Sequence, residues 1–287
     1  MSEPKEELAV TVYSSDPALG SPGALLGGLW DDLFKSRELV WMLFTRNLRA
    51  QFRQTLLGYL WLFLPPIATA AIWFFLHSQK ILRVETAIPY PIFVLVGVTL
   101  WTSFSNLTRA PLTGFTSGKQ VLVKLNVPVE AFLLSSVLSC LVEFLIRSAI
   151  LIPFMMLMNY PIPATAPLYL VGSLFLFLPA LAIGVLIVPL GSLYNDFGNV
   201  LTNVVRPLMY LTPVVYPVTA KGSWLREVMR LNPLTPPMDF ARDVLTTGSF
   251  EWFVPSAIVA GVSLLLLILG FILMRIAKPH LIVRMGM

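Results

Sequence analysis

Residues 253–275 read FVPSAIVAGVSLLLLILGFILMR, from Phe253 to Arg275, and no charged side chain interrupts them before the closing arginine. A helix crosses the hydrocarbon core of a bilayer with about 20 predominantly apolar residues, and this stretch supplies them. The rest of the 287-residue chain is of the same kind: 56% of residues are apolar, only 12% are charged, and mean hydropathy is +0.79. Soluble domains carry about twice that share of charge, so the bilayer, and not water, is the main solvent.

Working outward, further apolar runs lie at about 57–76, 88–107, 129–158, 168–190 and 200–215. With 253–275 they predict an all-α, polytopic membrane protein of six transmembrane helices. The run at 200–215 is short and holds Arg206, Pro207 and Pro213, so it reads as broken or partly re-entrant. Residues 1–28 lack the basic segment and apolar run of a signal peptide and read as a flexible cytosolic tail. Residues 29–287 read as one transmembrane domain.

Within that domain, residues 29–55 predict an N-terminal amphipathic interface helix. Trp30, Phe34, Trp41, Phe44, Leu48 and Phe52 recur at spacings of three, four or seven, with Arg46, Arg49 and Arg53 largely on other faces. Such a helix sets its aromatics at the acyl boundary and its arginines at lipid phosphates; the alternative is a charged flank that only fixes topology. Between the fifth and sixth runs, residues 216–252 carry Trp224, Leu225, Val228, Met229 and Leu231 before Pro233, Pro236 and Pro237. That pattern predicts short re-entrant helices, tolerable in the outer leaflet only when buried in protein or lining a wet cavity.

The net charge of +5 lies beside apolar runs and not along one solvated face, which argues against a nucleic-acid partner. Thirteen lysines and arginines fall on one side of the six runs and six on the other, Arg242 among the six. The positive-inside rule then puts both termini in the cytosol. Cys140 is the single cysteine and sits in an apolar run, so no disulfide framework forms within one chain. Neither His77 nor His280 has a partner at metal-ligand spacing, so no metal site is expected.

Gly114-Phe-Thr-Ser-Gly118-Lys119-Gln120 superficially resembles a phosphate loop but fails its template. Three residues separate the glycines where four are required, and Gln120 replaces the Ser or Thr that binds magnesium. If ATP drives this protein, the ATPase is another polypeptide. Glu143 and Arg147 lie four apart inside the third run, on one helix face. Alone, each charge costs about 2.5–3.5 kcal/mol at mid-depth, so the two should pair and face protein or water. They read either as a structural ion pair or as the lining of a polar substrate's route. Aromatics near span ends, Trp61, Trp101 and Phe104 among them, read as an interfacial belt or as flat surfaces for stacking sugars.

Several stretches together resemble the membrane-spanning permeases of ABC-2-type exporters for O-antigen, capsule and teichoic-acid polymers. They are Phe44-Thr-Arg-Asn-Leu-Arg-Ala-Gln-Phe-Arg53, Leu57-Gly-Tyr-Leu-Trp61 with Pro65-Pro66, Tyr194-Asn-Asp196, Leu211-Thr-Pro-Val-Val-Tyr-Pro217 and Leu231-Asn-Pro-Leu-Thr-Pro-Pro237. The resemblance runs from about Leu39 to the end and implies a homodimer of six-helix subunits in a bacterial inner membrane, bound to two copies of a separate ABC ATPase. That partner would hold ATP and magnesium; this chain would hold no cofactor and would not be an enzyme.

The implied cargo is a polyprenyl-diphosphate-linked polysaccharide. Arg46, Arg49 and Arg53 would meet its headgroup. The connection from about Pro111 to Leu125, with Gly114, Gly118, Lys119 and Lys124, would dock the ATPase. Tyr210, Pro213, Tyr216 and Pro217 would belong to a periplasmic gate. The alternatives are an ABC-2 exporter of small drugs or lipids, and a membrane-embedded enzyme acting on lipid-linked sugars. The enzyme would need a carboxylate or histidine constellation that the scattered Glu227, Asp239, Asp243 and Glu251 do not offer.

Overall fold

A computed structural model describes residues 36–52, 58–79, 85–124, 127–194, 196–218 and 223–286. The 1–28 tail, Trp30, Phe34 and Arg53 lie outside the described residues. Regular structure among those described is helical throughout: α1 (Arg37–Phe52), α2 (Leu64–Ser78), α3 (Tyr90–Lys124), α4 (Val129–Ser148), α5 (Leu151–Leu157), α6 (Tyr169–Leu193), α7 (Asp196–Leu208), α8 (Ser223–Leu231), α9 (Thr235–Thr246) and α10 (Phe253–Gly286).

Four of the described segments are long and apolar enough to cross a membrane: Tyr90–Leu122, Val129–Leu157, Ala166–Leu193 and Phe253–Lys278. The protein is a polytopic membrane protein built on these four. The expected spans at 57–76 and 200–215 are shorter as helices, for identifiable reasons. Gly58 takes a left-handed φ of 51° and a 3-10 turn follows over Gly58–Leu62. Pro65 and Pro66 can stand only in a first helical turn, having no amide hydrogen to donate, so α2 starts at Leu64. Pro207, near the end of α7, and Pro213 beyond it end the regular helix at Leu208. The expected span 129–158 divides at Ala149–Ile150 into α4 and α5.

At about 1.5 Å per residue α3 is about 52 Å long, well beyond the roughly 30 Å hydrocarbon core. It is also the centre of the fold, packing on α2, α4, α6, α7, α9 and α10. In its most apolar 18-residue window 78% is buried, against 22% for α10, whose outer side is exposed. Lipid tails are as apolar as leucine, so helices in a bilayer hold together by close packing at small residues. Gly184 of α6 shows this: a Cβ there would stand 2.6 Å from the Thr108 carbonyl oxygen, beside the Pro111 ring of α3.

Within the segment expected as an interface helix, a helix is observed over Arg37–Phe52, but its apolar side is not laid out as the spacing suggested. Val40 and Leu43 are buried in a second core with Phe115 of α3 and Phe132 of α4 and anchor α1 to the protein. Phe44 is 8% exposed while Trp41 is 64% exposed, so the two aromatics do not share one exposed apolar face.

Candidate functional site

The middle of α3 carries Thr102, Asn106, Arg109, Thr113 and Ser117 at three- and four-residue intervals, with Ser105 beside Asn106 and four before Arg109. That period puts them on one face, a polar stripe along the most buried of the four long helices. Their hydroxyls are largely satisfied within the helix, as where Ser105 Oγ donates to the Trp101 carbonyl at 2.8 Å and Ser117 Oγ to that of Gly114 at 2.9 Å. Each hydroxyl oxygen keeps lone pairs for an incoming donor.

Two cavities open on this stripe and share Asn106 and Arg109. One, of about 510 Å³, lies between α1, α3 and α4 and is lined by Asn47, Gln51, Thr113, Ser117, Ser136, Ser139, Cys140 and Glu143 besides the shared pair. The other, of about 440 Å³, lies between α3 and α7 and adds Trp101, Thr102, Ser105, Thr202, Val205, Arg206, Pro207, Met209 and Tyr210.

Glu143 and Arg147 form the ion pair their spacing required, and both are buried. The carboxylate is held on three sides, since Gln51 of α1 donates to Oε1 at 2.7 Å and Asn106 of α3 to Oε2 at 3.5 Å. The pair thus joins three helices, and its acidic member, not its basic one, borders the first cavity.

A second buried ion pair was not apparent in the sequence. Arg242 of α9 is 2% exposed and donates to Asp239 at 2.7 Å. It also donates to the Pro213 carbonyl and, at 3.5 Å, to that of Val214, with its guanidinium 3.8 Å from the Phe93 ring centroid. Counting it with the loop charges was therefore a misplacement: it is a core residue. Its partners explain it. The break after α7 frees carbonyls that have no helical donor, and Arg242 meets two of them. Tyr90 meets the Val215 carbonyl at 3.0 Å, and Asn232 meets that of Leu211 at 2.9 Å. The i, i+3 spacing of Asp239 and Arg242 was the available signal.

The other expected site residues fall in distinct places. Arg46 and Arg49 are exposed on α1 and line neither cavity. Trp101 and Phe104 stack at 5.0 Å with 4% and 1% exposure, so they belong to the core and form no interfacial belt; Trp61 is half exposed. Pro111–Lys124 is no separate element but the continuation of α3. In it Gly114 and Gly118 turn inward, a Cβ on Gly114 reaching 2.5 Å from the Phe132 carbonyl oxygen, while Lys119 is exposed.

Around the break, Tyr210 is half exposed and Tyr216 donates its hydroxyl to the Tyr210 carbonyl, but Val214 and Val215 are wholly buried. The connection beyond holds two unlike helices. α9 is buried, with Met238, Ala241 and Val244 at 0% exposure. α8 is a surface helix that exposes Trp224 and Leu231 and buries Met229.

Residues 38–246 match the family described as ABC-2 type transporter. Among known proteins, the chain is similar to the O-antigen export system permease protein RfbA of Myxococcus xanthus, 24% identical over 238 residues that cover 82% of this chain and 91% of that one. It is 22% identical over 224 residues to the protein of the same name from Klebsiella pneumoniae, covering 75% and 83%. It is 23% identical over 235 residues to the polysialic acid transport protein KpsM of Escherichia coli, covering 81% and 91%.

Proposed function

We propose, from the premise that this chain belongs to the ABC-2 type transporter family, that its cargo is a polyprenyl-diphosphate-linked polysaccharide carried from cytoplasm to periplasm. The chain is the membrane subunit of an ABC-2 exporter related to O-antigen and polysaccharide export permeases; such subunits are transporters, not enzymes, and work with ABC ATPase subunits.

The observation that carries the cargo reading is the polar stripe of α3 with its two cavities. A glycan presents hydroxyls around flat, apolar C–H faces. It needs a route that offers amides, hydroxyls and an occasional guanidinium at membrane depth, where such groups are costly without a purpose. An exporter of apolar drugs or lipids has no such requirement.

In this reading α2 and α7, each extended by its 3-10 turn, complete six crossings with the four long helices, and both termini face the cytosol of the bacterium. Two copies form the channel on two ATPase subunits that hold ATP and magnesium. Arg46 and Arg49 on α1, with Arg53, meet the diphosphate, for which arginine's forked donors are suited. Lys119 and Lys124 at the far end of α3 meet the ATPase, and Tyr210, Pro213, Tyr216 and Pro217 frame the periplasmic side. Closure of the ATPase pair is then transmitted as a rigid-body movement.

The test is reconstitution of the chain with its ATPase in proteoliposomes loaded with lipid-linked glycan on the ATP-accessible side. ATP-dependent appearance of glycan on the far side is the expected result. Transport only of small apolar compounds, or chemical change of the lipid-linked sugar without transport, would overturn the proposal.

A further inference from the structure

We infer that the cleft between α3 and α7 is a binding site for an oxyanion borne by the cargo, with Arg109 and Arg206 as its two cationic ligands. The cleft is the 440 Å³ cavity that both arginines line, one from each helix.

Three observations carry this. Neither arginine has a carboxylate partner among the described residues, and both are exposed on the cleft, whereas the buried Arg147 and Arg242 are each paired. The Arg109 guanidinium is held only by contacts of 3.4 Å to the Ser105 carbonyl, 3.4 Å to Asn106 Oδ1 and 3.5 Å to Thr202 Oγ1, all at the long limit of a hydrogen bond. Its donors are oriented across the cleft without being consumed there. Glu143, whose carboxylate meets Asn106, opens on the other cavity and is engaged by Arg147 and Gln51. Among the described residues the cleft is lined by two cations and no anion.

The surroundings define the ligand. Thr102, Ser105, Asn106 and Thr202 provide polar groups for sugar hydroxyls, and the half-exposed Tyr210 provides a flat face at one side. A guanidinium binds a phosphate or carboxylate through two parallel bonds. The ligand is thus an oxyanion attached to a sugar. Two sources fit that chemistry: the diphosphate at the lipid-linked end, and carboxylates along an acidic glycan. The site is distinct from the arginines of α1, which line neither cavity.

The inference rests on the glycan-export reading for its choice of probes, but it is scored by binding without transport. Loss of export with cleft binding intact refutes the export reading alone. The complex of the full chain with its ATPase, in nanodiscs without nucleotide, is titrated calorimetrically with inorganic diphosphate, with a soluble oligosaccharide of carboxylated sugars, and with a neutral oligosaccharide.

Arg109→Gln and Arg206→Gln are compared with wild type, so that binding at the ATPase sites, common to all samples, cancels. Arg230→Gln, on the exposed surface of α8, controls for net charge. Each cleft variant is expected to weaken at least one oxyanion probe about tenfold or more, with the neutral probe and Arg230→Gln unchanged, and Arg206→Lys recovering part of the loss. Weakening of diphosphate assigns the site to the lipid-linked end; weakening of the carboxylated oligosaccharide assigns it to the polymer. Unchanged affinity for both oxyanions, an equal loss for the neutral oligosaccharide, or a loss that Arg206→Lys leaves unrepaired overturns the inference.

Discussion

Replacing Arg242 by alanine tests whether the broken element after α7 is held from α9. The variant leaves Asp239 buried without its counter-charge, so that it is charged at a desolvation cost or takes up a proton, and strips the Pro213 and Val214 carbonyls of a donor. Removing one member of a buried pair costs about 3–5 kcal/mol. The orphaned carbonyls and the vacated space beside Phe93 fall within the same loss and do not add to it in full. For a chain of this size that is a fall in Tm of roughly 10 °C.

A local readout separates this loosening from general instability. Val215 is 0% exposed, so a Val215→Cys probe in a Cys140→Ser background should resist a maleimide in the otherwise native protein and react once Arg242→Ala is added. Arg242→Lys keeps the charge but not the fork, and should fall between. If Arg242→Ala shifts Tm by no more than a degree or two and leaves position 215 protected, the segment is held by something other than this arginine.

Burial pushes the Asp239 carboxyl up to about 7 and the Asp243 carboxyl up to about 6, against the pull of Arg242. Native values above the usual carboxylate value mean that the folded state binds protons more tightly. That stabilisation is full below about pH 4 and is lost as pH rises through the native values, so Tm should fall between pH 5 and 8 and the fall should flatten in an Asp239→Asn, Asp243→Asn variant. Gly97→Ala would set a Cβ 2.2 Å from the Val214 carbonyl oxygen and 2.9 Å from Arg242; an overpacking loss of at least about 1–3 kcal/mol is expected in thermal unfolding. Glu143→Leu strands Arg147 and releases Gln51, costing about 3–5 kcal/mol, and should increase proteolytic cleavage within α1. Lys119→Glu, on the exposed face of α3, should reduce co-purification of the ATPase while leaving Tm of the permease unchanged.

What could be read from the sequence divides along a physical line. Membrane helices declare themselves by length and apolarity, so α3, α4, α6 and α10 stood out, and Glu143 with Arg147 declared their pairing because neither charge is tolerable alone. The proline-bearing run near 200–215 was legible as broken for the same local reason. The role of Arg242 was only partly legible, because its i, i+3 spacing from Asp239 marks a pair but looks the same whether that pair faces water or caps carbonyls from a distant break. The belt alternative for Trp101 and Phe104 fails on their burial, because proximity to a span end places a residue along the membrane normal but not around the helix axis, while Trp101 still lines a cavity. The stripe on α3 was available in the spacing of Thr102, Ser105, Asn106, Arg109 and Thr113, masked by the apolar residues between them. The inward turn of Gly114 and Gly118 follows from the position of Phe132, which one chain's periodicity cannot supply.

The unbroken run of α3 from the polar stripe to Lys119 makes residue number equivalent to angle. Inserting one residue after Ser117 would advance Lys119 by 1.5 Å and turn it about 100° around the axis relative to Arg109. An insertion of seven would restore the facing within about 20°. The distance between the two ends of this helix can therefore drift over generations only by insertions close to whole turns, such as about seven, eleven or eighteen residues, and relatives with a longer α3 should differ by such lengths.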